Sequence, residues 1–279
     1  MEGFAPVTPY SVCAIGNSHT AMFAKAWKSQ LEQELPGVSI TFFGANSQKL
    51  SHLIYEDGAF TAHDKELADG FAMTSGGLTR AEIAAYDAFL LIGLGLRITV
   101  TSLCGPCGTV QHREWGPVDT LVSEAVFAAM VEGALKEPQP FWILEKIRSV
   151  GKQPVLLCAT PFRSDKEASW SFTRKNRRFA DDNFRGKVIA QCQEIGSALA
   201  LRHGGEFVWQ DESTISLPGF TKAEYAQGAL RLGKAELEDG LHMNADFGKI
   251  ALTRALTRLD EISGGRVFGS DEERALKRA

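Results

Sequence analysis

The chain is short of the features that would assign a class at once. No apolar stretch reaches the roughly 18 residues that a membrane-spanning helix needs. The first residues, Met1-Glu2-Gly3-Phe4-Ala5-Pro6, lack the basic region and apolar segment of a secretory signal, so a cytoplasmic location is the expectation. There is no excess of positive charge: 30 Lys and Arg stand against 34 Asp and Glu, a net charge of −4. That excludes the broad basic footprint of a nucleic-acid binder. No Pro-, Ser- or Gly-rich linker, internal repeat or low-complexity run divides the sequence. At 279 residues and 44% hydrophobic content, residues 1–279 read as a single domain with a large core. Cysteine is scarce, at five. Cys13, Cys158 and Cys192 fall in apolar patterns and read as small buried residues. Cys104-Gly105-Pro106-Cys107 has redox-pair spacing, but no second C-x-x-C exists to complete a zinc site, and no clear helical face comes after it. A structural turn, a reversible disulfide and a metal site all stay open there.

What is present is a set of short, continuous apolar runs. Val12-Cys13-Ala14-Ile15 ends at Gly16, Ser39-Ile40-Thr41-Phe42-Phe43 at Gly44, and Ala88-Phe89-Leu90-Leu91-Ile92 at Gly93. A fourth runs from Pro154 to Thr160, and Glu206-Phe207-Val208-Trp209 is a weaker fifth. Each is too short for a helix and apolar on both faces, the mark of a buried parallel strand. Helical patterns are expected at 122–136, 141–150, 174–200, 222–237 and 245–262, the last capped by Asn244 with Asp246 in its first turn. Strands alternating with helices predict an α/β fold, a three-layer α/β/α sandwich around a five-stranded parallel sheet. Ligands of such sheets bind beyond the carboxyl ends of the strands.

Two motifs at opposite ends of the chain carry the chemistry. After the first strand comes Gly16-Asn17-Ser18-His19-Thr20, and apolar Phe23, Trp27, Leu31 and Leu35 then recur at helical spacing. Ser18 is thus expected at a helix N-terminus, where N–H groups favour developing negative charge. Late in the chain stands Asp239-Gly240-Leu241-His242. A serine hydroxyl becomes a useful nucleophile when a base takes its proton, and a carboxylate fixes that base.

Gly16-Asn17-Ser18-His19 resembles the first block of the SGNH/GDSL hydrolases, with Asn17 in place of the usual aspartate. Asp239-Gly240-Leu241-His242-Met243-Asn244 resembles their closing block. The resemblance implies Ser18 as nucleophile, His242 as general base and Asp239 as its orienting partner. It implies a serine esterase acting through an acyl-serine, with no metal or organic cofactor. It also implies that the Gly44 N–H joins that of Ser18 as an oxyanion donor. The family's G-x-N block is where this chain departs, because Gly93-Leu94-Gly95 carries Gly95 where the asparagine stands. The Gly95 backbone, Asn46 or Arg97 could substitute. The same machinery could pass the acyl group to a sugar hydroxyl, as an O-acyltransferase does; Asn17 and Gly95 open a further alternative, a weak or inactive relative that binds a glycan or acyl ligand. A third reading is a thiol-redox role for Cys104 and Cys107.

Residues 97–119 are more than a crossover needs, and they predict a lid. In it, Arg97, His112, Arg113 and Trp115 are expected to contact a polar acyl acceptor such as an acetylated sugar. The expected partner is thus a small-molecule or carbohydrate ester, with neither nucleic acid nor membrane. His19 is expected to point away from the side that Ser18 faces. His52, His63 and Asp64 match no compact metal motif and read as surface groups. Arg174-Lys175-Asn176-Arg177-Arg178 reads as a solvated helix face. Trp115, Trp142 and Trp170 are core residues or pocket walls.

Overall fold

A computed structural model of the chain describes residues 8–98, 106–137, 139–167, 177–232, 234–237 and 239–268. All five expected apolar runs are strands: β1 (Tyr10–Gly16), β2 (Val38–Gly44), β3 (Ala88–Ile92), β4 (Val155–Cys158) and β5 (Glu206–Val208). They form one parallel sheet in the order β5-β4-β3-β1-β2, with Gly16 level with Gly44 on one side and Ile92 on the other. Side chains alternate across it as the pleat requires. Cys13, Ile15, Phe89, Leu91, Val155 and Leu157 belong to one buried cluster, while Val12, Ala14, Leu90, Ile92, Leu156 and Cys158 belong to the other. Removing a fully buried ring such as Phe89 would cost about 3–5 kcal/mol.

Helices cover both faces. α1 (Thr20–Ala26) runs on through a π-helical turn at Trp27–Leu31, and it buries Phe23, Trp27 and Leu31 as their spacing predicts. It lies in the same buried cluster as α6 (Ala245–Ser263), which Asn244 caps by accepting the Phe247 N–H at 3.1 Å. α2 (Lys65–Ser75), α3 (Glu124–Lys136), α4 (Pro140–Val150) and α5 (Asp182–Arg202) contribute to the opposite cluster. The three-layer α/β/α sandwich is thereby observed. Gly248 sets the approach of α6 to α1, since a Cβ there would collide with the Met22 carbonyl. That contact brings together the two loops that precede these helices, and those loops hold Ser18 and His242.

Three elements differ from expectation. Residues 222–237 are not a helix: a 3-10 turn at Ala223–Ala226 leads into an antiparallel pair, Ala229–Arg231 with Lys234–Leu237. Gly228 adopts φ +63°, a conformation that interrupts a helix. The helix expected from 174 begins at Asp182, capped by Asp181, and a 3-10 turn precedes it at Arg177–Ala180. Most of the basic run at 174–178 lies outside the described residues. An antiparallel sheet of Leu53–Glu56, Ala59–Ala62 and Arg80–Glu82 was not expected. Among the described residues, no helix is long and apolar enough to cross a membrane.

Candidate active site

The sharp exit from β1 is built on Gly16, where a Cβ would meet the Ile92 carbonyl at 2.6 Å. The next three residues form a tight loop. The Asn17 N–H donates to Ile92 O (3.3 Å), the Thr20 N–H to Asn17 O (2.9 Å) and the His19 N–H to Asn17 Oδ1 (3.1 Å). The N-cap of α1 is His19, so Ser18 stands one residue before the position expected for it. Ser18 is half-buried, and among the described residues no acceptor takes its N–H.

His242 is brought to this loop across 224 positions: its Nε2 lies 2.8 Å from Ser18 Oγ. On its other side, Nδ1 lies 2.6 Å from Asp239 Oδ2. The second carboxylate oxygen, Asp239 Oδ1, accepts the N–H groups of Leu241 (3.0 Å) and His242 (2.8 Å). Burial by itself would raise the Asp239 pKa. The His242 N–H, the His242 ring and the Leu241 N–H outweigh it and hold the carboxyl below its ordinary value. Backbone bonds fix the whole loop. The Ser164 N–H donates to Gly240 O (2.8 Å), the Leu230 N–H to Met243 O (3.1 Å) and the Asn244 N–H to Tyr225 O (2.8 Å). The segment expected as a helix at 222–237 is therefore the brace of the histidine loop.

The other expected site residues fare differently. The Gly44 N–H donates to Thr74 Oγ1 at 2.9 Å, so it is occupied and does not serve as a donor at Ser18. Asn46 is exposed and caps the short helix Ser47–Leu50, accepting the Lys49 N–H at 3.0 Å. Gly95 is exposed with φ +84°, and Leu94 before it adopts φ +51°, a strained conformation for a branched side chain. Among the described residues no acceptor takes the Gly95 N–H. Thr160 N–H donates to Leu96 O at 2.8 Å, tying this turn to the end of β4. Arg97 comes next, at the surface. Desolvation and then the neighbouring Arg163 guanidinium lower its pKa.

His19 is the residue that sequence reasoning misplaced. Its ring does not turn away but stacks on His242, with centroids 4.9 Å apart and planes 23° apart. It is buried, and its pKa is lowered to about 3, by burial first and then by the positive charges of His242 and Arg97. Among the described residues, its Nδ1 has no hydrogen-bond partner.

The expected lid is only partly described, since 99–105, with Cys104, lies outside the described residues. The short helix Val110–Trp115 is docked on the core. His112 is 1% exposed, closes a capping box with Thr109, contacts Gln191 Oε1, and packs against Phe127 at 4.5 Å. It is a core residue and cannot touch an acyl acceptor. Trp115 packs on the same cluster, with Lys187 over its ring, while Arg113 is exposed. Cys107 pairs with Thr120 in a two-residue strand. Trp142 packs beside Phe60, and Trp170 lies outside the described residues. His52 contacts Asp64 on the surface, and among the described residues no group of three metal-ligating side chains exists.

A cleft of about 670 Å³ lies elsewhere, between β5 and α6, lined by residues such as Trp209, Arg254 and Arg258. None of Ser18, His242 and Asp239 lines it. Its charged groups are already paired, Arg254 with Asp211 and Arg258 with Glu206 and Glu261.

No family model matches the chain, and no curated protein does. Solved structures do. A Streptococcus pneumonia protein provisionally described as a platelet activating factor is 15% identical, with a TM-score of 0.38 over 91% of this chain and 86% of that one. The periplasmic domain of a Salmonella ser. Paratyphi A lipopolysaccharide acetyltransferase is 9% identical, with a TM-score of 0.39 over 91% and 84%. A carbohydrate esterase, whose active site displays divergent catalytic and non-catalytic binding functions, is 13% identical, with a TM-score of 0.36 over 92% and 67%.

Proposed function

We propose that the chain is a serine ester hydrolase of the SGNH/GDSL kind, acting on acyl or acetyl esters, including those of carbohydrates. The observation that carries this reading is the unbroken line of contacts from Ser18 Oγ through both nitrogens of His242 to Asp239. Residues so far apart in sequence meet in this order because two loops and two helices converge, and the order is the one that nucleophilic catalysis needs.

Each step uses an atom of that line. Ser18 Oγ attacks the ester carbonyl carbon as its proton passes to His242 Nε2, and the carbonyl π pair moves onto oxygen. Asp239, already bonded to Nδ1, supports the imidazolium. The tetrahedral adduct collapses by breaking the bond to the alcohol, which leaves with the proton from Nε2. Water, deprotonated at the same nitrogen, then attacks the acyl-serine, and Ser18 recovers its proton as the acid departs. A sugar hydroxyl taking the place of water would make the reaction an acyl transfer.

The oxyanion is stabilised by the N–H of Ser18 and the N–H of Gly95. Arg97 stands beside that turn. With Gly44 occupied by Thr74, the donor set is lean, and each missing donor costs about 100- to 1000-fold in rate. A slow enzyme is the expectation. The test is turnover of short p-nitrophenyl esters. Ser18→Ala and His242→Ala should each abolish nearly all of it without loss of fold, and the double variant should be no worse than either. Wild-type turnover in Ser18→Ala would reject the assignment.

A further inference from the structure

The stacked pair His19–His242 has a role that the line of contacts does not account for. Two in-plane contacts, to Ser18 and Asp239, fix the edges of the His242 ring, but they leave its faces to be held by something else. His19 holds one face. Its offset stack at 4.9 Å and 23° is a geometry that aromatic pairs favour. The choice of histidine there needs explaining. A phenylalanine or leucine would fill the space without stranding a polar atom, whereas His19 Nδ1 is buried with no partner among the described residues, which is unfavourable. His19 is also placed by the nucleophile's own loop: its N–H is fixed by Asn17 Oδ1, and it is the N-cap of α1. Base and nucleophile are thus registered to each other through one residue.

We propose that His19 is a positioning residue for the base: its uncharged ring is the platform that keeps His242 in plane with Ser18 and Asp239, and on which the His242 imidazolium rests after taking the Ser18 proton. The inference rests on the serine-hydrolase reading. A neutral π face beneath a cation is attractive, and a second cation in its place would repel. His19 meets that condition. Burial, the charge that His242 acquires, and Arg97 all disfavour its protonation, and only Asp239 opposes them.

The test compares His19→Ala with His19→Phe, on p-nitrophenyl acetate, with thermal melts of each. Loss of the platform in His19→Ala should lower kcat at least about tenfold with little change in KM, as misplacement of a catalytic group does. The downfield proton resonance of the His242–Asp239 hydrogen bond should broaden. His19→Phe, which restores an aromatic face, should recover most of kcat and the resonance. Wild-type kcat in His19→Ala overturns the inference, as does a His19→Phe variant that folds normally but is as slow as His19→Ala. Fluorophosphonate labelling of wild-type Ser18 separates the two levels. No labelling removes the hydrolase reading and this inference with it, whereas labelling with His19→Ala unimpaired removes only the inference.

Discussion

A Cβ on Gly93 would stand 2.5 Å from Asn17 Oδ1. The turn after β3 and the loop that carries Ser18 therefore touch at a point that only glycine fits, and Gly93 also takes φ +70°. Gly93→Ala is expected to lower stability by about 1–3 kcal/mol, through strain at positive φ and displacement of Asn17. Activity should fall further than stability, because Asn17 Oδ1 fixes the His19 N–H beside Ser18. Denaturant melts and p-nitrophenyl acetate turnover on the same samples check this. Unchanged turnover would mean that the two loops are not coupled.

Asp239 gives a pH dependence with a definite sign. Its folded-state pKa lies below its ordinary value, so its contribution to stability is fully present above pH about 4 and is lost as pH falls through the folded value. Asp239→Asn should be less stable than wild type at neutral pH, and the difference should shrink on going below pH about 4. Turnover should suffer less than in Ser18→Ala, because His242 itself remains. Melts at several pH values decide it. A difference that grows toward acid would have the wrong sign.

Gly95→Asn should raise turnover on short esters, by up to about 100-fold, if it returns a side-chain donor to the oxyanion. Asparagine tolerates the positive φ found there better than most residues. Steady-state kinetics read the outcome, and no gain in a normally folded variant would place the oxyanion away from this turn.

His112→Ala should destabilise the fold by about 1–3 kcal/mol while leaving preference among acetyl, butyryl and octanoyl esters as it was, since His112 is a buried cap and not a wall of the site. A shifted preference at unchanged stability would revive its role as a ligand contact. Deleting 101–116 would for the same reason remove the short helix Val110–Trp115 from the core, and is expected to unfold the region rather than open a lid.

The central sheet was legible because its strands are buried on both faces and read as unbroken apolar runs, and α6 because Asn244 caps a periodic stretch. The small antiparallel sheet was not, since its strands are three or four residues long. Its signal was Asp57-Gly58, a two-residue turn with φ +49° and +76° at those positions. The 222–237 segment has helical spacing, but Gly228 breaks it and its residues spend their hydrogen bonds on the histidine loop. Ser18, His242 and Asp239 could be paired from motif chemistry alone. The commitment of Gly44 to Thr74 could not, because Thr74 lies 30 positions away on α2. His19 was misplaced by treating neighbouring residues as facing opposite ways. That alternation holds in a strand, and His19 sits in a helical conformation, φ −68° and ψ −16°, which turns its ring back over His242.

The central claim is that Ser18 is activated by His242. Its most direct test is to treat the protein with a fluorophosphonate probe and locate the adduct by peptide mass spectrometry. The account predicts a single adduct on Ser18, absent in Ser18→Ala and strongly slowed in His242→Ala. A wild-type protein that takes no probe, or one whose labelling is undiminished in Ser18→Ala, would contradict it.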